Sequence, residues 1–140
     1  MHLPFSIAGN FLKAKGAKFL AEALHVNSSM TSINLASNEL CGLHKRGQGT
    51  YDATGLTAIA DALSVSSSMK KLNILANSID AEGAQALVDA VPQQLQTLCG
   101  FEEGQTEADL KGEFGKRLGP GDAVLLAWEL TTGFVSTSMT

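Results

Sequence analysis

Residues 30–40 read MTSINLASNEL, and residues 69–79 read MKKLNILANSI. In both segments apolar residues occupy the first, fourth, sixth and eleventh positions, and an asparagine (Asn38 or Asn77) occupies the ninth. A weaker copy over residues 2–12, HLPFSIAGNFL, places Asn10 in the same position. The apolar fourth and sixth positions predict a short strand with those side chains facing a core. The asparagine predicts the strand end, because its amide can satisfy backbone groups where the chain turns.

Apolar residues with helical spacing follow each of these asparagines, and a fourth set with the same spacing lies at residues 122–130. The spacing i, i+3, i+4, i+7 places them on one helix face. They form four sets: Gly16, Ala17, Leu20, Ala21, Leu24; then Gly55, Leu56, Ile59, Ala60, Leu63; then Gly83, Ala84, Leu87, Val88, Val91; and finally Asp122, Ala123, Leu126, Ala127, Leu130. Asn10 and Asn38 are 28 residues apart, whereas Asn38 and Asn77 are 39 apart, with a surplus of 11 between Leu40 and Gly55. Removing this insertion restores the period, so the sequence predicts a repeated strand–loop–helix unit.

The 28-residue spacing and the helix pattern G-A-x-x-L-A-x-A-L resemble the ribonuclease-inhibitor type of leucine-rich repeat, found in ribonuclease inhibitor, the Ran GTPase-activating protein and NOD-like receptors. The resemblance implies an α/β leucine-rich repeat solenoid, a right-handed β-α superhelix with short parallel strands on the concave side and helices on the convex side. We expect residues 1–140 to form a single leucine-rich repeat domain of about four to five repeats, a segment of a longer array.

The same resemblance implies a protein–protein interaction module or scaffold without catalytic activity, which uses the concave face and the 41–54 loop. The candidate partner-binding residues are Asn34, Lys70, Lys71 and Asn73 on the strands, and Arg46 and Tyr51 in the insertion. Asn10, Asn38 and Asn77 are expected to form a structural asparagine ladder. One alternative for the strand residues is that they are merely solvated, and one alternative for the insertion is a tolerated surface loop. The alternative function is regulation of an enzyme, as a GTPase-activating or inhibitor-type repeat protein, for which Arg46 is the best-placed arginine.

Charge, hydropathy and cysteine content limit the partners and the locations that we expect for this protein. The net charge of −4 and the pI of about 5.2 leave no broad basic face, so nucleic acid is not expected. There is no apolar run of about 18 residues, so no membrane span is expected. Cys41 and Cys99 are far apart, which favours a reducing, cytoplasmic setting over a disulfide framework. Self-association through uncapped ends is expected, since repeat arrays need polar caps.

Neither catalysis nor a cofactor is predicted. The serines cluster in turns without a nucleophile-elbow context, and Cys41, His44 and Asp52 are too few and too irregularly spaced to predict a metal site. Trp128 falls at a helix position that faces water in the other sets. It therefore packs on a local element such as Phe134, or it marks a surface that a partner covers.

Overall fold

The computed structural model describes residues 5–43, 49–105, 107–110 and 118–132. Its elements are β1 (Phe5–Ser6), α1 (Lys13–Val26), β2 (Ser32–Asn34), α2 (Thr54–Val65), β3 (Lys71–Asn73), α3 (Ala81–Asp89) and α4 (Pro120–Thr131). The strands form one parallel sheet in the order β1-β2-β3. Within these ranges no helix is both long and apolar enough to cross a bilayer.

The core lies between one face of the sheet and the helices. Ile33 and Leu35 of the second unit, and Leu72 and Ile74 of the third, are at most 2% exposed. Alternation along each strand turns these side chains to the same side and places their neighbours on the opposite face. The apolar faces of the helices cover this layer, and together they form one continuous cluster.

Close approach of helices α1 and α2 depends on a glycine. A Cβ atom at Gly55 would lie 2.5 Å from the carbonyl oxygen of Ala14 and 2.6 Å from the Cβ of Ala17. Only a residue without a side chain fits at this distance. The small residues that recur in the helix pattern therefore set the spacing between neighbouring helices.

The predicted leucine-rich repeat solenoid is wrong: the described residues form a small α/β domain with four helices and three short parallel strands in one open sheet. Beside β3, the chain makes only isolated bridges, from Lys71 to Thr97 and from Asn73 to Cys99. The backbone N–H groups of Leu98 and Cys99 donate to Oε1 of Glu129, at 3.1 and 3.2 Å. A side-chain carboxylate thus takes N–H groups that a strand beyond residues 97–99 would need, and no described strand pairs there.

Helix α4 packs directly on α3, and the described residues just before it, 107–110 and 118–119, contain no strand beside β3. A Cβ atom at Gly121 would lie 2.0 Å from the carbonyl oxygen of Ile79, so α4 begins in close contact with the loop before α3. The predicted inner face of α4 is also wrong at most positions: Ala123, Ala127 and Leu130 are exposed. Its buried residues are Gly121, Asp122, Leu125 and Glu129.

Candidate functional site

The sheet face opposite the helices forms an open groove with a volume of about 290 Å³. We call it the sheet-face groove, and its lining residues are Thr31, Ser32, Ile33, Asn34, Lys70, Lys71, Leu72, Asn73, Gln96, Gly100 and Glu102. It contains all four strand residues that the sequence suggested as partner-binding. The parallel pairing of β2 with β3 brings them together, because Ser32 lies opposite Lys71 and Asn34 lies opposite Asn73.

Asn34 and Asn73 adopt the same hydrogen-bonding arrangement. The Oδ1 atom of Asn34 accepts from the N–H of Ala36 at 3.0 Å, and Oδ1 of Asn73 accepts from the N–H of Leu75 at 3.1 Å. Within the described ranges, neither Nδ2 group donates to a protein acceptor. Since neighbouring strands lie about 4.8 Å apart, the two amide donors form a closely spaced pair on the groove floor.

Gly100 packs closely against Asn73, which is only 7% exposed. A Cβ atom at Gly100 would lie 2.8–3.0 Å from three atoms of the Asn73 side chain, and the glycine has a φ of +73°. Both the close approach and the positive φ therefore favour glycine at position 100. Gly100 therefore holds the Asn73 amide in place at one side of the groove.

Two lysines, Lys70 and Lys71, lie at one end of the groove, and their backbone groups are hydrogen-bonded. The N–H groups of Lys70 and Lys71 both donate to the carbonyl of Thr31, and the carbonyl of Lys70 accepts from the N–H of Gln96. Nζ of Lys71 lies 2.5 Å from Oε2 of Glu102 in an ion pair. The Glu102 side chain is 67% exposed. The lining thus carries two positive groups and one negative group, on a chain whose net charge is −4.

The three asparagines predicted as a ladder lie at the strand ends, away from this groove. Oδ1 of Asn38 accepts from the N–H of Asn10, and Oδ1 of Asn77 accepts from the N–H of Asn38, both at 2.8 Å. The Asn77 amide also donates to the carbonyls of Leu35, Ile74 and Leu75. Asn38 and Asn77 are completely buried. Their hydrogen bonds link one strand–loop–helix unit to the next.

Of the two candidate residues in the insertion, the described part of the chain includes only Tyr51; Arg46 lies outside it. Tyr51 is half-buried, is absent from the groove lining, and accepts a 3.3 Å hydrogen bond from the N–H of Asp80 at its hydroxyl. Burial raises the pKa of Tyr51. Burial also raises the pKa of the neighbouring Cys41 thiol to about 11, although a hydrogen bond with Tyr51 acts in the opposite direction. Tyr51 is therefore packed into the structure and does not join the four strand residues.

A buried polar cluster around Glu129 was not predicted from the sequence. Oε1 of Glu129 accepts from the hydroxyl of Thr97 at 2.7 Å, in addition to the two backbone N–H groups of Leu98 and Cys99. Oε2 is buried and has no hydrogen-bond partner within the described residues. Burial and the nearby Glu129 carboxylate raise the pKa of Cys99. A glutamate in an amphipathic helix normally faces water, so the sequence carried no signal for this cluster.

Trp128 is partly buried and lines a shallow groove between α3 and α4, together with Gln85, Val88, Val124, Ala127 and Thr131. The suggested contact with Phe134 falls outside the described residues. Among the residues that the structure describes, no three His, Cys, Asp or Glu side chains are grouped so that they could hold a metal ion.

Comparison with protein-family models gave no match, and comparison with curated proteins gave none either. The function is therefore inferred from the geometry and chemistry of the sheet-face groove. Its distinguishing features are the pair of asparagine amides, the two lysines and the hydrogen-bonded backbone that carries them.

Proposed function

We propose that this protein is a protein-binding module or scaffold without catalytic activity, which binds a segment of its partner in the sheet-face groove. The observation that carries the proposal is the pair of asparagines Asn34 and Asn73, aligned in register on adjacent strands of the groove beside Lys70 and Lys71. The Asn34 and Asn73 side chains are already held by hydrogen bonds to the backbone, so they lose little freedom on binding, which favours affinity.

The shape of the groove supports a polypeptide ligand. Pockets for small molecules are usually enclosed and mostly apolar, with a few polar groups. This groove is open along the sheet, and most of its lining residues are polar or charged. An extended segment has backbone carbonyl groups and side-chain oxygens that can accept hydrogen bonds from the two amides.

Regulation of an enzyme as a GTPase-activating or inhibitor-type protein is the weaker proposal. It depended on an arginine aimed at a catalytic centre, and Arg46 lies outside the described residues. No described contact favours it over a binding module.

We also propose a cytoplasmic location and an evolutionary relationship to leucine-rich repeat proteins of the ribonuclease-inhibitor type. The location is supported by Cys41 and Cys99, which are buried and unpaired within the described ranges. The relationship is supported by the 28-residue spacing of Asn10 and Asn38 and by the hydrogen bonds that Asn38 and Asn77 make between units. It concerns ancestry and not a solenoid architecture.

Self-association stays a prediction, and three exposed aromatic side chains support it. Phe5, Phe11 and Phe19 are 45%, 62% and 63% exposed, and all three belong to the first unit, where β1 pairs with β2 only among the described strands. Exposed apolar groups beside an open strand edge favour association. Sedimentation velocity from 1 to about 200 μM tests it, and a constant monomer mass would refute it.

Site-specific photo-crosslinking in cells that express the protein tests the binding proposal. A benzoylphenylalanine replaces Ser32 on the groove, and a second variant carries it at Thr57, which is exposed on α2. We expect discrete crosslinked partner proteins from position 32 and not from position 57. The same products from both positions, or none from position 32, would refute binding through this face.

A further inference from the structure

We infer that the segment bound in the sheet-face groove is acidic, and that Glu102 occupies the place on Lys71 that a carboxylate of this segment takes on binding. This inference rests on the proposed function and specifies the partner's chemistry. Three features support it: the donors in the groove, the exposed ion pair between Lys71 and Glu102, and the turn that positions Glu102.

The polar lining of the groove consists mainly of donors. Lysine ammonium groups donate and cannot accept, and the Oδ1 atoms of Asn34 and Asn73 each already accept one backbone N–H, so their Nδ2 groups are left as the donors. The hydroxyls of Thr31 and Ser32 can donate as well. A ligand that satisfies these groups must supply oxygen acceptors, and beside Lys70 and Lys71 a negatively charged acceptor is favoured.

Glu102 is the one lining residue with a negative charge, and a short turn holds it at the groove wall. The N–H of Glu102 donates to Oε1 of Gln105 at 2.9 Å, and the N–H of Gln105 donates to the carbonyl of Glu102 at 3.1 Å. The chain's own carboxylate thereby reaches Nζ of Lys71 from the side opposite β2. This contact marks a position at which a carboxylate pairs with Lys71.

The contact is also replaceable. The Glu102 side chain is 67% exposed, and exposed ion pairs contribute little to stability because both partners are well solvated. A carboxylate from a bound segment can therefore take the place of Glu102 on Lys71 at small cost. Glu102 acts as a weak internal competitor, so its neutralisation should strengthen binding of an acidic segment.

The neighbouring Glu103 provides a matched control. It is exposed, it lies next to Glu102 in the chain, and it does not line the groove. Glu102→Gln and Glu103→Gln change the net charge of the protein equally. A general gain in attraction for acidic peptides would affect both variants alike, whereas removal of a competitor affects only Glu102→Gln.

The test uses a random-peptide display library, selected on the immobilised full chain. Enriched peptides are synthesised with a fluorophore, and their affinities are measured by anisotropy. Circular dichroism checks that each variant is folded. We expect enriched peptides to contain Asp or Glu, to lose affinity for Lys70→Gln, and to bind Glu102→Gln about two- to fivefold more tightly than both the wild-type chain and Glu103→Gln.

The outcomes separate the inference from the proposed function. Enriched peptides that need Lys70 but carry no carboxylates would overturn the acidic ligand and leave the groove as a binding site. Equal gains for Glu102→Gln and Glu103→Gln would overturn the role of Glu102 as a competitor. If no enriched peptide depends on a groove residue, both the inference and the proposed binding surface fail.

Discussion

Replacement of Asn77 by alanine removes the side chain with the most hydrogen bonds at the buried strand ends. Oδ1 of Asn77 accepts from the N–H groups of Asn38 and Leu40, at 2.8 and 3.3 Å. Nδ2 donates to the carbonyls of Leu35, Ile74 and Leu75, at 3.0, 2.9 and 3.2 Å. Asn77 is 0% exposed. The Asn77→Ala variant therefore loses five hydrogen bonds in the interior.

The cost follows mainly from the two backbone donors that lose their acceptor. A buried donor left without a partner costs about 1–3 kcal/mol, and the carbonyls add less because each has a second lone pair. We expect Asn77→Ala to lower the free energy of unfolding by about 2–5 kcal/mol. A water molecule that enters the vacated space restores some of these bonds and gives the lower value. Even that is a large part of the roughly 5–15 kcal/mol that stabilises a typical domain.

Urea denaturation followed by circular dichroism measures this change, and Asn10→Ala is the matched control. Asn10 holds the equivalent position in the first unit, but it is exposed, and its side-chain amide donates to the carbonyls of Ile7 and Ala8. Water can replace those bonds, so Asn10→Ala should cost under about 1 kcal/mol. If Asn77→Ala costs as little as Asn10→Ala at an unchanged m value, the side chain does not link the units as described.

Three further predictions follow from buried groups. Gly121→Ala should lower the free energy of unfolding by about 2–4 kcal/mol in urea denaturation, because its Cβ would lie 2.0 Å from the carbonyl oxygen of Ile79. Burial raises the pKa of Asp122 above its ordinary value of 3.8. The stability linked to protonation of Asp122 is therefore complete below pH 3.8 and is lost as the pH rises through the folded-state pKa. Melting temperatures measured from pH 3 to 7 should show this loss in the wild type but not in Asp122→Asn. Burial raises the pKa values of Cys41 and Cys99, so at pH 8 neither thiol should react with a disulfide reagent until urea unfolds the protein.

Each of these predictions has a clear contrary result. Gly119→Ala is the control for Gly121→Ala, since a Cβ atom at Gly119 meets nothing within 4 Å; equal costs would mean that α4 is not in close contact with the preceding loop. A constant difference in melting temperature between wild type and Asp122→Asn across the pH range would contradict the raised pKa. Rapid modification of a thiol in the native protein would contradict its burial.

The repeated pattern alone predicted most of the local structure of the first three units. Strands and helices formed where the period of the apolar residues changed from two to the helical spacing, because each period buries one face of its own element. The strand residues of the sheet-face groove could also be predicted from this pattern. Residues adjacent to Ile33 and Leu72 in a strand must face away from the core, so Asn34 and Asn73 could be assigned to the outer face before any contact was known.

Contacts between distant parts of the chain determined the extent of the sheet and the ion pair in the groove. The pattern predicted that further units would extend the sheet, but the segment beside β3 makes only isolated bridges within the described residues, and Glu129 takes its N–H groups at Leu98 and Cys99. Likewise, only the turn at residues 102–105 brings Glu102 to Lys71, 31 positions away. The sequence by itself determined which segments become strands and helices, since that depends on the spacing of neighbouring apolar residues. How many strands pair and which charges meet depended on the tertiary structure, because hydrogen bonds and ion pairs form wherever folding brings donors and acceptors within about 3 Å.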